Sequence, residues 1–317
     1  MKTLEEISNR TMLVDNKLAN QMATLGYIKL PFLDHTEVAY FKQLYEDYHQ
    51  GEPDGFYKSY FSSDLEYKLT AENAIMAAFE KKLNHLFKNH KVFGGMFVAK
   101  PPLEKGHFTA HQDWSFTDEL EFPSYNMWCP LEDVDDANAN LNVLNGSHRF
   151  LKTIRGFDTP DVYDHLHKAL EPNMISVPMK AGEVIIFYHG LVHGSTKNLS
   201  NKTRVSIGLS LIHEEAPWRF HHFDKESGKL LVFESNPEFY LHYSDRNGQV
   251  PSGLKSLGTS DFKFNRLSLE DLKQLVTQNQ GTFIDLPKKE LAEADSEMEL
   301  VGEQQSGLFS KLLGYFK

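Results

Sequence analysis

Two stretches of the 317-residue chain hold the residue types that metal chemistry needs. The first is GHFTAHQDWSF, residues 106–116, with His107, His111 and Asp113 close together. On a strand, residues i and i+2 point to the same face. His111 and Asp113 are therefore expected on one face, with Gln112 and Trp114 on the other. One imidazole and one carboxylate make two ligands for a divalent metal. A second histidine would complete the two-histidine, one-carboxylate set of non-haem iron(II) sites. H-x-D alone is common, and polar residues on an ordinary strand are its plain alternative.

The second stretch is AGEVIIFYHGLVHGSTKNLSNKTRVSIGLS, residues 181–210. Behind an apolar run come His189 and His193, then Arg204 and Ser206. Either histidine is a candidate third ligand, and Gly190 argues for a bend between them. Three protein ligands leave positions for a 2-oxo acid, bound through its keto oxygen and adjacent carboxylate, and for dioxygen. A 2-oxo diacid also needs a buried cation for its far carboxylate. A guanidinium suits this, because its planar fork meets a carboxylate with two parallel bonds. Arg204 and Ser206 share a strand face and offer that fork plus a hydroxyl. A salt bridge or a strand-edge position is the other role open to Arg204.

Strands must position most of these groups. Short runs rich in Val, Ile, Phe, Tyr and Trp predict strands over 92–100, 108–116, 125–131, 139–144, 174–179, 183–188, around His193, and over 204–213. KAGE, residues 180–183, reads as a turn between two of them. About eight strands with irregular loops point to a jelly roll or related barrel. Helices flank this core. Residues 35–49 are amphipathic, with Asp34 and Glu37 set as a capping box, and 71–88 form a second helix. Ser268 and Asp271 cap a third, LEDLKQLVTQ. Residues 288–306 read as a solvated acidic linker. In the tail GLFSKLLGYFK, Leu308, Phe309, Leu312, Leu313 and Phe316 share a helical face, for docking on its own domain or on a partner or membrane.

Composition narrows the function classes. The chain is 40% hydrophobic and 24% charged, as soluble globular proteins are. A net charge of −11 argues against nucleic acid and gives no support for anionic lipid. The single cysteine, Cys129, excludes an internal disulfide and a cysteine-rich zinc site. No run approaches the roughly 18 apolar residues of a membrane span. The N-terminus lacks an apolar signal core, so the expected location is cytoplasmic.

The ordered motifs HQDW (111–114), MWCPLEDVDDANANLNVLNGSHRF (127–150) and AGEVIIFYHGLVHGSTKNLSNKTRVSI (181–207) resemble the phytanoyl-CoA dioxygenase family of Fe(II)/2-oxoglutarate oxygenases. LGYIKLPFLDHTEV (25–38) resembles that family's opening, so the likeness covers about residues 25–215. It implies that His111, Asp113 and His193 bind iron, and it favours His193 over His189. It further implies that Arg204, helped by Ser206, holds 2-oxoglutarate, with Trp128 and Lys100 at the same cavity. The implied fold is mainly β with flanking helices, around a double-stranded β-helix or jelly-roll core. The implied reaction consumes O2 and hydroxylates a small organic substrate, releasing succinate and CO2. Related halogenases lack the carboxylate, so Asp113 points to hydroxylation. A non-enzymatic protein binding metal or a 2-oxo acid on the same scaffold is the alternative.

The expected layout is an N-terminal extension over 1–24, the dioxygenase domain over 25–260, and a helical extension with linker and tail over 261–317. Asn140 and Asn145 stand where the family has glycine and proline, while Gly146, Ser147 and His148 remain. His107 is expected to border a loop. His148 serves a ligand or its own loop. His213, His221 and His222 are expected beyond the strand core, partly exposed on a mobile segment. Asp118 and Glu119 read as loop acids.

Overall fold

The strand EVIIFY explains why the middle of the chain folds as two facing sheets. Val184 and Ile186 turn outward and pack with Phe41, Ile75 and Phe79 of the helices. Ile185 and Phe187 turn inward and pack with Leu141, Val143 and Val177 of the opposite sheet. A strand buried on both faces reads as an unbroken apolar run. The computed structural model describes residues 10–49, 53, 55–102, 108–242 and 249–285.

The larger sheet is antiparallel. Its order is β1 (Tyr27–Pro31), β8 (Glu183–Tyr188), β5 (Ser124–Pro130), β10 (Arg204–His213), β3 (His90–Lys100) and β2 (Tyr57–Lys58). Facing it is a smaller sheet, β4 (Phe108–His111), β9 (His193–Ser195), β6 (Leu141–Val143) and β7 (Ile175–Val177). The strands expected from the sequence are β3 to β10 of these two sheets. The architecture is mainly β with flanking helices around a jelly-roll core, as expected.

Helices cover the outer faces. α1 (Asn16–Leu25), α2 (His35–Tyr48) and α3 (Leu65–Leu86) lie against the larger sheet, burying Met22, Phe41, Ile75 and Phe79. Asp34 and Glu37 form the capping box that starts α2. α3 starts six residues before position 71, because Asp64 caps it by accepting the Tyr67 amide. Two short helical turns, α4 (Ser147–Phe150) and α5 (His167–Leu170), and the longer α7 (Leu269–Gln280) lie at the smaller sheet. Ser268 caps α7, which buries Leu272 and Val276 against Ala110, Leu144 and Val192.

The described residues of 214–242 and 249–260 differ from the mobile segment expected around the histidines. They form a third antiparallel sheet of β11 (Arg219–Asp224), β12 (Lys229–Glu234) and β13 (Lys255–Ser260), with α6 (Pro237–Leu241) between the last two. His213, His221 and His222 are therefore buried, contrary to the exposed segment expected. His213 ends β10, and the other two sit mid-strand on β11. His222 stacks on Phe157, and His221 Nδ1 donates to the Ser115 carbonyl at 3.1 Å. No helix among the described residues is long and apolar enough to cross a membrane. His107, the acidic linker and the amphipathic tail lie outside the described residues.

The KAGE turn depends on Gly182, at φ +82°, where an added Cβ would collide with the Leu33 carbonyl oxygen. The Gly182 carbonyl accepts the amides of Phe32 and Leu33, joining β1 to the turn. Gly182→Ala is expected to lower the unfolding free energy by about 1–3 kcal/mol or more, measured by urea denaturation. An unchanged unfolding midpoint would contradict this account of the turn.

Candidate metal centre

β4 and β9 pair so that His111 lies opposite His193. Their ring centroids are 4.3 Å apart. Asp113 faces both. Its Oδ1 is 3.8 Å from His111 Nε2, and its Oδ2 is 3.7 Å from His193 Nε2. The ligand atoms of the three residues all lie within 4.8 Å of one another. Side-chain exposures of 22%, 20% and 7% for His111, Asp113 and His193 leave the set reachable from outside.

The route to this arrangement differs from the strand expected over 108–116. β4 stops at His111, and Gln112 and Asp113 have irregular backbone. The ladder ends because the Asp113 amide turns to the His189 carbonyl, 2.9 Å away. The Asp113 carbonyl accepts from Arg155 Nε at 2.8 Å. Asp113 shares a side with His111 through these tertiary bonds rather than through strand alternation. Gln112 turns away and donates to the carbonyls of Leu151 and Gly190. Trp114 packs at the Phe220 cluster.

The imidazole tautomers are fixed from behind. His111 Nδ1 lies 2.8 Å from the Thr109 carbonyl, and His193 Nδ1 lies 3.0 Å from the Leu191 carbonyl. A carbonyl only accepts, so each Nδ1 carries the hydrogen and each Nε2 presents its lone pair. Asn126 Nδ2 donates to Asp113 Oδ2 at 2.7 Å. Two nitrogens and a carboxylate, so oriented and reachable, fit a divalent transition metal.

Burial, with the neighbouring His193, pushes His111 down to about 3. Burial alone would raise the Asp113 carboxyl. The facing His193, His111 and His189 and the Lys58 ammonium outweigh it and hold the group below the usual carboxylate range.

His189 does not join the set. It is fully buried between Ser124 Oγ and Ser210 Oγ, at 2.5 and 3.1 Å, and burial pushes it down to about 3. His148 stacks on Tyr188 with an interplanar angle of 6°. Glu119 meets Arg155 with both carboxylate oxygens, and Asp118 accepts the Leu120 amide. Cys129 is buried, and burial pushes its thiol up.

The larger sheet turns its polar residues toward this set. Ser206 pairs with Val98 and Pro130, Val98 with Lys58, and Arg204 with Lys100, so Lys58, Lys100, Arg204 and Ser206 share one face. Trp128 and Asn126 belong to the same face through Gly208 and Ser210. Arg204 is 2% exposed. Its guanidinium carbon sits 5.0 Å from the Trp128 ring centroid, and NH1 donates to Ser206 Oγ at 2.9 Å. Ser206 Oγ in turn donates to the Val98 carbonyl. The Lys100 ammonium donates to Ser195 Oγ and to the Ser195 and Thr196 carbonyls, fastening β9 beside His193. Lys58 and Asn126 were missed in the sequence. Lys58 sits on a two-residue strand with no pattern, while Asn126 left a trace as the lone amide in the buried strand SYNMWCP.

The family model described as phytanoyl-CoA dioxygenase matches residues 41–206. Phytanoyl-CoA dioxygenase of Arabidopsis thaliana is 30% identical over 133 residues, 41% of this chain and 47% of its own length. Phytanoyl-CoA dioxygenase 1 of Oryza sativa subsp. japonica is 28% identical over 132 residues, 41% of this chain and 47% of its own. The chain thus spans about half the length of these curated relatives. Among solved structures, a non-haem alpha-ketoglutarate-dependent carbocyclase of nogalamycin biosynthesis is similar. It has a TM-score of 0.48 and 19% identity, over 65% of this chain and 86% of that one.

Burial sets a pH dependence. His111 and His189 are held at about 3, and His148 and His221 at about 4. Unfolded, each takes up a proton near pH 6.5. Below that pH the unfolded state binds more protons, so stability falls as pH falls. The chelator-treated protein is expected to lose stability progressively between about pH 6.5 and 4. Urea unfolding at pH 7, 6 and 5 checks this, and a flat profile contradicts it.

Proposed function

Because the chain belongs to the phytanoyl-CoA dioxygenase family, we propose that it is an iron(II)- and 2-oxoglutarate-dependent dioxygenase. It hydroxylates a small organic substrate: substrate C–H, 2-oxoglutarate and O2 give substrate C–OH, succinate and CO2. One juxtaposition carries the proposal. A two-histidine, one-carboxylate set on the smaller sheet and its adjoining loop faces a buried guanidinium on the larger sheet.

His111, Asp113 and His193 are the proposed iron ligands. Iron held there would supply open positions for the 2-oxo acid and O2, together with the redox chemistry between them. The chain's own residues do the rest. The Thr109 and Leu191 carbonyls keep both imidazoles in the binding tautomer. Asn126 orients the carboxylate and satisfies one of its oxygens. Arg204 receives the far carboxylate of 2-oxoglutarate, with Ser206 fixing its fork and the Trp128 face excluding water from one side. Lys58 balances the negative charge gathered at the centre. Lys100 acts one step back, on β9. The cytoplasm is the proposed setting, consistent with a single buried cysteine.

The test is O2-dependent succinate release from 2-oxoglutarate, with iron(II) and a reductant, over a substrate panel. His193→Ala is expected to lower turnover at least about 100-fold. Arg204→Met is expected to raise the KM for 2-oxoglutarate about 10- to 100-fold, since a charged hydrogen bond contributes about 1.5–3 kcal/mol. Wild-type protein that binds 2-oxoglutarate yet forms no succinate with any substrate would instead be a binding protein.

A further inference from the structure

Asp113 lies two residues beyond the end of β4, so no ladder fixes its peptide unit. Arg155, 42 residues away, fixes one side of it by donating from Nε to the Asp113 carbonyl at 2.8 Å. The same guanidinium is committed all round. NH1 donates to the Thr153 carbonyl at 2.6 Å, and NH2 donates to both oxygens of Glu119, at 2.8 and 2.7 Å. The two chain segments are also laced directly. The Ser115 amide donates to the Arg155 carbonyl at 2.9 Å, and the Arg155 amide donates to Ser115 Oγ at 3.2 Å.

The lacing continues into the third sheet. The Phe157 amide donates to the His221 carbonyl at 2.9 Å, and the Phe223 amide donates to the Phe157 carbonyl at 2.8 Å. At Gly156 an added Cβ would collide with the His221 carbonyl oxygen, so β11 runs hard against this segment. His221 closes the loop by donating to the Ser115 carbonyl. β11 to β13 lie beyond residue 206, where the family match ends.

Resting on the metal centre proposed above, we propose that Arg155 and Glu119 are positioning residues. They form a clamp that fixes the peptide of the carboxylate ligand against the third sheet and so sets metal affinity and ligand geometry. A fork with three fixed acceptors holds one plane, and Glu119 locks that plane from the far side. Without the guanidinium, the Asp113 carbonyl loses its donor and the Glu119 carboxylate is left as an uncompensated charge. Groups that orient metal ligands typically contribute about 10- to 100-fold to metal affinity.

The test titrates cobalt(II), anaerobically, into chelator-treated wild type, Arg155→Met, Arg155→Lys and Glu119→Gln. It reads the dissociation constant and the visible spectrum of bound cobalt. Arg155→Met is expected to bind about 10- to 100-fold more weakly with shifted bands. Arg155→Lys should recover part of the affinity, and Glu119→Gln should lose less than Arg155→Met. Spectral change is the readout that a merely structural role would not give. A folded Arg155→Met protein that loses less than about fivefold, with an unchanged spectrum, overturns the clamp. If Arg155→Met does not fold, the same threshold applied to Arg155→Lys decides. Wild-type protein that binds no cobalt overturns the metal centre itself. Normal wild-type binding with unaffected variants overturns only the clamp.

Discussion

His111 lies across the β4–β9 ladder from His193, and everything at the centre depends on that pairing. Two imidazoles facing each other in a buried place repel if both are protonated, so the fold must keep protons off their facing atoms. Backbone carbonyls do this by holding the hydrogens on the far nitrogens. Asp113 adds a negative charge to these gathered lone pairs, and Lys58 beyond it offsets that charge. Among the described residues, a cation brought to this spot meets two Nε2 lone pairs and a carboxylate that are already oriented.

The two sheets divide the work. The smaller one and its loop carry the proposed ligand set, and the larger one carries the cations that face it. Alternation along β10 makes the division possible. Val205 and Ile207 turn toward the helices, while Arg204 and Ser206 turn inward. A polar inner face on a strand buried on both sides is expensive unless each group is bonded. Ser206 accepts one Arg204 N–H, and Ser195 and Thr196 accept from Lys100. The cations consequently brace the barrel as well as charge it.

Most of the core was legible because its strands are buried on both faces and read as apolar runs. The turn at Gly182 and the caps at Asp34 and Ser268 were legible because their chemistry is local. The early start of α3 was hidden, since Leu65 and Leu69 are 43% and 40% exposed and blur the helical pattern. β11 was hidden by its two adjacent histidines, which read as surface residues until Phe157 and Ser115 cover them. The H-x-D pair was found by a strand rule that the backbone does not follow at Asp113. Arg155 left no trace and Glu119 read only as a loop acid, because their partners are set by the fold and not by any spacing.

The third sheet also fixes an order of events. The three proposed ligands are all in the chain once residue 193 is made, but the bracing of the Asp113 loop needs His221 and Phe223. Pairings across such separations close late in folding, after local structure has formed. A nascent chain stopped before β11 would carry every ligand and lack the scaffold that aligns them. On the clamp proposed above, tight metal capture would wait until β11 has joined the Asp113 loop.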